Sequence, residues 1–323
     1  MLMSSNSIDI GQMKNNKLIR AIFSDYDGTL CSASAARDNS LGQNRIPLEV
    51  REVLQQIAEQ IPVCIISSKD YSFLKETRIF AKVVSCLMGI ETLSFASNAD
   101  TEQQQSPSPI RRKLLVGQES DFSAQSDALE KIAQSIESEP EFRSIIVERK
   151  YTSDKKILAG ITIDWRYSQN WDYYRRGVRH FISALVTNLS QPPMRINLYL
   201  LKYNFHPFVD VYVTECNKGT AFDLILSEMS IAARNIGQEN ECGYRKNNSN
   251  SGRIIRAEDV LYLGDSENDN PGFRKAGVSI GVRSDSRIVP ELECQHIVDF
   301  DRLARFLWRL KYNHLRFKEE QLI

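Results

Sequence analysis

The sequence has no excess charge of either sign, because its 41 basic residues are balanced by 41 acidic ones over 323 positions. Without a net positive field, the chain has no overall attraction for nucleic acid or for an anionic membrane. No apolar run approaches the length of a membrane span. We therefore expect neither a nucleic-acid partner nor a membrane anchor, and an anionic ligand must be bound by a local cluster of charged groups.

The cysteines lack the close spacing of a metal site or of a disulfide framework. None belongs to a CxxC pair, and the six are scattered along the chain: Cys31, Cys64, Cys86, Cys216, Cys242 and Cys294. Cys64 lies in an apolar run, where a small buried hydrophobic residue is the expected role. This usage indicates a reducing compartment. Because residues 1–16 also lack the apolar segment of a signal peptide, we expect a cytoplasmic protein with a disordered tail at 1–16.

Residues 18–30 carry the strongest signal in the sequence. An apolar run of the length of a buried strand ends in two carboxylates, Asp25 and Asp27. Alternate residues of an extended segment project to the same side, and two like charges so close repel each other unless a cation lies beside them. Mg²⁺ is the simplest such cation, since it binds carboxylate oxygens and keeps positions for water and phosphate. Gly28 allows a sharp turn whose backbone amide can approach a ligand, and Thr29 adds a hydroxyl.

Strand and helix patterns alternate after this segment, which predicts an α/β fold with a parallel sheet. A helical pattern follows Pro47, and the apolar run 61–66 predicts a second buried strand that ends at Ser67 and Ser68. Ligands of such sheets bind at the carboxyl ends of the strands. A hydroxyl at this position can cap the next helix or bind a phosphate oxygen, and we expect phosphate contact here.

Between residues 118 and 214 the pattern changes to helix, strand, strand, helix, strand, strand. This order predicts a small α+β (αββαββ) cap domain, inserted into a core domain made of residues 17–117 and 215–323. A chain of 323 residues is long enough for both.

The predicted cap strands carry an unusual density of charged residues. Alternation places Glu148 and Lys150 on one strand face, and Asp164 and Arg166 on one face of the neighbouring strand. With Asp210, these groups form either cross-strand ion pairs on an exposed face or a polyol-binding surface, and the spacing favours neither.

Two later segments supply further charged residues at strand and helix ends. Lys218 begins a helix, where the helix dipole disfavours a cation, so we expect a compensating anion beside it: a carboxylate cluster or a phosphate. Asp265 and Asp269 follow another apolar strand. The polar segment 98–109 predicts a flexible surface loop, and the segment 237–252 predicts a loop or insertion that is expected to be disordered. The short apolar segments 278–282 and 296–299 predict edge strands.

Four motifs thus occur in order: Asp-x-Asp-Gly-Thr from Asp25, a serine ending the second strand, Lys218 followed by glycine, and Gly-Asp-x-x-x-Asp ending at Asp269. Together they resemble the motifs of the haloacid dehalogenase (HAD) superfamily of phosphatases, over nearly all of residues 18–300. The resemblance implies a Rossmann-like core with an inserted cap, bound Mg²⁺ and an aspartyl-phosphate intermediate.

The resemblance also implies a role for each motif residue. Asp25 is expected to be the nucleophile, because a carboxylate can accept a phosphoryl group and divide hydrolysis into two steps. Asp27 is expected to protonate the leaving oxygen and then to activate water. Asp269 would orient Lys218 or a metal-bound water. The implied phosphate-binding residues are Gly28, Thr29, Ser67, Ser68 and Lys218. The implied metal-binding residues are Asp25, Asp27 through its backbone carbonyl, Asp265 and Asp269.

Within the predicted cap, three features resemble trehalose-6-phosphate phosphatases: Glu148-x-Lys150, an aromatic residue followed by Arg166, and Asp210 eight residues before the motif lysine. The implied substrate is trehalose 6-phosphate, the implied process is trehalose biosynthesis, and the implied sugar-binding residues are Glu148, Lys150, Arg166, Asp210 and Asn268. Asp164 stands where that family commonly has histidine.

Several alternatives stay open at this point. Sucrose-phosphate and mannosyl-3-phosphoglycerate phosphatases share the cap type, and the acidic motif 264–269 resembles the broader sugar-phosphatase group. A phosphosugar mutase is another possible enzyme, and a non-catalytic phosphosugar sensor could use the same scaffold. The expected partner is a small sugar phosphate, and we expect a monomer or a weak homo-oligomer.

Overall fold

The structure, a computed structural model, describes residues 16–32, 46–95, 109–115, 122–168, 170–239, 254–284 and 291–323, without the side chains of 232–239. Most of the predicted tail at 1–16 and of the predicted loops at 98–109 and 237–252 lies outside these residues. Among the described helices, none is long and apolar enough to span a bilayer.

The strands of the described residues are, in chain order, β1 (Lys17–Leu18), β2 (Ala21–Ser24), β3 (Val63–Ile66), β4 (Ala81–Cys86), β5 (Glu91–Ser94), β6 (Arg111–Leu114), β7 (Ile146–Tyr151), β8 (Leu158–Asp164), β9 (Tyr199–Lys202), β10 (Phe208–Tyr212), β11 (Val260–Gly264), β12 (Val278–Arg283), β13 (His296–Asp299) and β14 (Arg316–Phe317). The α-helices are α1 (Leu48–Ala58), α2 (Tyr71–Leu74), α3 (Ser123–Ser138), α4 (Trp171–Ser190), α5 (Lys218–Glu239), α6 (Asn270–Phe273) and α7 (Leu303–Tyr312).

An eight-stranded sheet forms the centre of the core domain, in the order β13-β12-β11-β2-β3-β4-β5-β6. All neighbours from β13 to β4 are parallel, whereas β5 and β6 are antiparallel additions. The predicted α/β class with a parallel sheet is confirmed. The prediction of an edge strand at 278–282 is wrong, because β12 pairs on both sides and β13 forms the edge.

Helices cover both faces of this sheet, which explains why its strands read as continuous apolar runs. On one face, α5 packs Phe222 edge-to-face against Phe23 of β2, with ring centroids 4.8 Å apart. On the other face, Ile22 of β2 belongs to the apolar cluster that contains α1 and α7. Because β2 lies in the middle of the sheet, the residues that follow it lie at the centre of the carboxyl edge.

The cap is a four-stranded antiparallel sheet, in the order β7-β8-β10-β9, with α3 and α4 packed on one face. The predicted order of helices and strands is confirmed. The register aligns Glu148 with Thr162 and Thr162 with Asp210 on neighbouring strands. Directly opposite residues share a face, so these three polar side chains lie together on the face that is not covered by the cap helices.

Candidate active site

The chain makes a tight turn directly after β2. The backbone N–H of Asp25 donates to the carbonyl of Leu263 at 2.9 Å, which fixes this residue between two strand ends. Gly28 follows with a φ of +79°, and its N–H donates to the carbonyl of Cys31 at 2.8 Å. A Cβ at Gly28 would lie 1.9 Å from Oδ2 of Asp265. Glycine is therefore required here for its left-handed backbone and for the close approach of Asp265.

Lys218 lies at the centre of the site, fully buried at the start of α5. Its Nζ is 3.0 Å from Oδ1 of Asp25 and 2.7 Å from Oδ1 of Asp269. Burial alone would lower the pKa of Lys218, but Asp25 and Asp269 outweigh it and raise that pKa above its ordinary value. The lysine therefore stays charged, and a carboxylate cluster supplies the compensation that the sequence required.

Asp269 uses both carboxylate oxygens within the protein. Oδ1 accepts from Lys218 and from the hydroxyl of Tyr262 at 2.9 Å, and Oδ2 accepts from the backbone N–H groups of Asp265 and Ser266 at 3.1 Å each. These bonds shape the loop after β11 and hold the ammonium of Lys218. Of the two roles predicted for Asp269, the arrangement favours orientation of Lys218.

The carboxylates of Asp25, Asp265 and Asp269 offer oxygen atoms within 4.8 Å of one another. Burial, despite Lys218, raises the pKa of Asp25 to about 7. Burial and the neighbouring Asp25 raise the pKa of Asp265 well above its ordinary value. Burial is the larger cause of both shifts and neighbouring carboxylates add to it, so a divalent cation beside these groups would favour their ionised forms. Hard carboxylate oxygens and a backbone cradle that admits no Cβ at Gly28 fit Mg²⁺.

The side chain of Asp27 lies outside this carboxylate group and faces the cap. It is 29% exposed, and its Oδ2 is 3.8 Å from Nζ of Lys69. Lys69 also donates to both carboxylate oxygens of Glu148 on β7, at 2.9 and 2.8 Å. One core lysine thus joins Asp27 to the cap. We did not predict a role for Lys69, although its place two residues after Ser67 was a signal that could have suggested one.

The loop that carries Ser67 is held by an unusual turn after β4. The carbonyl of Ser67 accepts from the N–H of Met88 at 2.9 Å, and the carbonyl of Lys69 accepts from Leu87 at 3.0 Å. Leu87 and Met88 both have positive φ, 55° and 58°, which is strained for residues with side chains. Oγ of Ser67 accepts from the N–H of Lys69 at 3.2 Å, while Ser68 is half-buried. The role of both serines in phosphate binding stays a prediction.

Lys150 and Asp210 form a buried ion pair within the cap, at 3.2 Å and with only 2% and 1% of their side chains exposed. Asp210 also accepts from the hydroxyls of Tyr203, at 2.7 Å, and Thr162. Tyr212 accepts from Lys150 at 3.4 Å. Of the two alternatives left open by the sequence, ion pairing is observed here, but this pair is buried and not exposed. Binding of sugar by either residue stays a prediction.

Arg166 and Asn268 lie on either side of the same cap–core boundary. The guanidinium of Arg166 is 2.5 Å from Asp164 and lies over the ring of Phe208, 5.6 Å from its centroid. Asn268 lies in the core loop after β11, where its Oδ1 accepts from Oγ of Ser266 at 2.7 Å. Their predicted contact with sugar is likewise untested.

Two further contacts fasten the cap to the core, and the sequence had not indicated either. The carboxylate of Glu267 accepts from the N–H of Phe205 at 3.2 Å, next to the acidic loop after β11. At the other end of the core sheet, the buried Glu91 accepts from Oγ of Ser153 at 2.7 Å and from Arg112 at 2.6 Å. These two contacts hold the cap on two sides of the group formed by Asp25, Asp265 and Asp269.

Fold and site together define a class of protein: a Rossmann-like core with an αββαββ cap over an aspartate-rich strand edge. No family model matches the sequence, and no curated protein matches it. Solved structures do match, and they belong to the HAD superfamily of phosphatases.

One similar structure is that of a trehalose-6-phosphate phosphatase related protein, with a TM-score of 0.56 and 15% identity, over 91% of this chain and 98% of that chain. The C-terminal domain of C. albicans trehalose-6-phosphate phosphatase gives a TM-score of 0.55 and 15% identity, over 91% and 92%. A haloacid dehalogenase-like hydrolase from Bacteroides thetaiotaomicron gives a TM-score of 0.51 and 15% identity, over 90% of this chain and 99% of that chain. At this identity the likeness establishes the fold: the chain has the HAD-phosphatase fold that its motifs resemble.

Proposed function

We propose that this chain is a Mg²⁺-dependent phosphatase that hydrolyses sugar phosphates, with trehalose 6-phosphate as the best candidate substrate. One observation carries the proposal: the buried Asp25 carboxylate lies 3.0 Å from the charged Lys218, and the more exposed Asp27 follows in the same turn. A nucleophile held against a cation, with a second carboxyl group two residues away, is what two-step phosphoryl transfer requires.

In the proposed first step, a carboxylate oxygen of Asp25 attacks phosphorus, and the bond from phosphorus to the sugar oxygen breaks. Asp27 gives its proton to that leaving oxygen, so the sugar departs as a neutral alcohol. In the second step, Asp27 takes a proton from a water that attacks the phosphorus of the aspartyl phosphate. The bond from phosphorus to the Asp25 oxygen breaks, which releases inorganic phosphate and restores the Asp25 carboxylate. Lys218 stays beside Asp25 throughout and balances the charge of the phosphoryl oxygens.

The residues that would hold Mg²⁺ are Asp25, Asp265 and the backbone carbonyl of Asp27. When bound, the ion would neutralise charge on the phosphate oxygens. The backbone at Gly28 and Thr29 and the hydroxyls of Ser67 and Ser68 are the proposed remaining phosphate contacts. Hydroxyls and backbone N–H groups suit phosphate, which accepts hydrogen bonds at every oxygen.

The leaving group is proposed to be a sugar bound by Glu148, Lys150, Arg166, Asp210 and Asn268. The polar face of the cap and the trehalose-6-phosphate phosphatase named among the similar structures support this choice.

We further propose that the protein works in the cytoplasm, as a monomer or weak homo-oligomer. The five cysteines among the described residues form no disulfide with one another, which favours a reducing compartment.

The test is release of inorganic phosphate by purified protein, with Mg²⁺ or with EDTA, from p-nitrophenyl phosphate and from a panel of sugar phosphates. The panel contains trehalose 6-phosphate, sucrose 6-phosphate and mannosyl-3-phosphoglycerate. We expect Mg²⁺-dependent turnover that Asp25→Asn abolishes, with trehalose 6-phosphate preferred. If no phosphomonoester is hydrolysed, the proposal of an enzyme fails. Calorimetric binding of a sugar phosphate by that inactive protein would then identify a sensor.

A further inference from the structure

The cap and the proposed acid–base residue share one cation. Nζ of Lys69 lies 3.8 Å from Oδ2 of Asp27 and within 2.9 Å of both carboxylate oxygens of Glu148. Asp27 and Lys69 belong to the core, whereas Glu148 belongs to β7 of the cap. A movement of the cap that carries Glu148 away would therefore change the surroundings of the ammonium that faces Asp27.

Lys69 itself is firmly placed. Its backbone N–H donates to Oγ of Ser67, and its carbonyl accepts from Leu87. Its Nζ lies over the ring of Phe73, 4.9 Å from the centroid, and Phe73 packs edge-to-face against Tyr26 at 5.5 Å. Because Tyr26 stands between Asp25 and Asp27, the same packing fixes both the turn and the lysine. The side chain of Lys69 is only 20% exposed, so its charge acts at close range.

Asp27 needs such a partner more than Asp25 does. Asp25 is buried against Lys218, whereas the Asp27 side chain is partly exposed at the boundary with the cap. A carboxyl group that must first face a leaving oxygen and then a water has to keep one orientation through both steps. Lys69 is the cation that the described ion pairs place at this carboxylate.

We propose that Lys69 is a positioning residue for Asp27, and that Glu148 sets the position of Lys69 only when the cap is docked on the core. Acid–base catalysis is thereby coupled to cap closure. This inference rests on the proposed function, since it assigns Lys69 a part in the same reaction. In this proposal, Lys69 acts through Asp27, the carboxylate that it faces at 3.8 Å.

The experiment compares kcat/KM for two aryl phosphates, because p-nitrophenol leaves readily as an anion while phenol leaves well only when an acid protonates it. This ratio reports acid catalysis in the first step, and neither substrate carries a sugar. We expect Lys69→Met to lower kcat/KM for phenyl phosphate about tenfold more than for p-nitrophenyl phosphate. Lys69→Arg, which keeps the charge, should restore much of the difference. Glu148→Gln should change the ratio in the same direction by less.

Asp154→Asn is the matched control for Glu148→Gln, because it also removes the charge of a cap carboxylate that faces a core cation. Asp154 is a cap carboxylate that faces a core cation, Arg112, at 3.3 Å, on the edge strand β6 of the core. The Asp154→Asn variant should leave the ratio of kcat/KM for the two aryl phosphates unchanged. In an Asp27→Asn background, adding Lys69→Met should have no further effect on the ratio, because the residue that Lys69 positions no longer acts as an acid.

The outcomes separate the inference from the function it rests on. Wild-type protein without Mg²⁺-dependent turnover overturns the proposed function. An active wild type with an unchanged ratio in Lys69→Met overturns the positioning of Asp27 alone. An unchanged ratio in Glu148→Gln, or a change of equal size in Asp154→Asn, overturns the coupling to the cap.

Discussion

Removal of divalent metal should make the stability of this protein fall as the pH rises. In the metal-free fold, burial raises the pKa of Asp25 from 3.8 to about 7. The folded protein then binds this proton more tightly than the unfolded chain does. The contribution of Asp25 to the free energy of unfolding is therefore fully present below pH 3.8, and it is lost as the pH rises through about 7. This direction is the reverse of that for a surface carboxylate in an ion pair.

The magnitude follows from the size of the shift. Between pH 3.8 and about pH 7, the unfolded and folded pKa values of Asp25, each pH unit lowers the free energy of unfolding by about 1.4 kcal/mol for one proton. Two units therefore lower it by about 3 kcal/mol. For a chain of this length, that corresponds to a decrease of about 5 °C in the thermal midpoint. Glu130 and Glu137 have pKa values that are lowered by hydrogen bonds from Arg149. Their stabilising contribution is lost as the pH falls through their ordinary value of 4.5, which lies below the assayed range of about pH 5 to about pH 7.

The assay is thermal unfolding in EDTA, followed by circular dichroism at about pH 5 and about pH 7, for wild type and Asp25→Asn. Wild type should lose stability across this range, and the variant should lose less, since its amide does not titrate. Saturating Mg²⁺ should raise the midpoint of wild type more at the higher pH, because metal and protons compete for the same oxygens. Equal pH slopes for the two proteins in EDTA would refute the burial argument for Asp25.

Three further predictions follow from single contacts. Gly28→Ala should weaken activation by Mg²⁺, because the new Cβ would lie 1.9 Å from the carboxylate of Asp265. Gly177→Ala is the control: a Cβ there meets nothing within 4 Å, so a Mg²⁺ titration of activity should be unchanged. Lys150→Met should lower stability by roughly 3–5 kcal/mol, because Asp210 is left as an unpaired buried charge, and an unchanged urea midpoint would contradict this. Arg166→Ala should lower turnover of trehalose 6-phosphate by roughly 1–3 kcal/mol in activation free energy and that of p-nitrophenyl phosphate by less, and equal losses would instead indicate a role in cap folding.

The core of the site could be predicted because parallel topology leaves little freedom. Asp25 and Asp265 each follow an apolar strand directly, and the ends of adjacent parallel strands must meet at one edge. The position of Lys218 was deduced from a conflict, a cation at a helix N-terminus, and two carboxylates resolve it. Each of these inferences depended on local sequence and on one rule of sheet geometry.

The pairing inside the cap could not be predicted in the same way. Alternation correctly placed Glu148 and Lys150 on one face of a strand. Their partners depend on distant segments: Lys150 meets Asp210 from the strand two places away in the sheet, and Glu148 meets Lys69 from the core. Strand order in an antiparallel sheet and the docking of one domain on another are set by packing, which a single sequence does not reveal.

The net negative charge of the core site links metal binding to the ionisation of the proposed nucleophile. If fully ionised, the carboxylates of Asp25, Asp265 and Asp269 exceed the one ammonium of Lys218 by two negative charges, in a buried place where such an excess is costly. Burial and the neighbouring carboxylates raise the pKa values of Asp25 and Asp265, so bound protons would relieve this excess when no cation is present. A bound divalent cation would relieve it instead and leave Asp25 ionised, as a nucleophile must be. Metal is therefore expected to supply the ionised nucleophile as well as charge neutralisation, so the Mg²⁺ concentration needed for half-maximal turnover should rise as the pH falls.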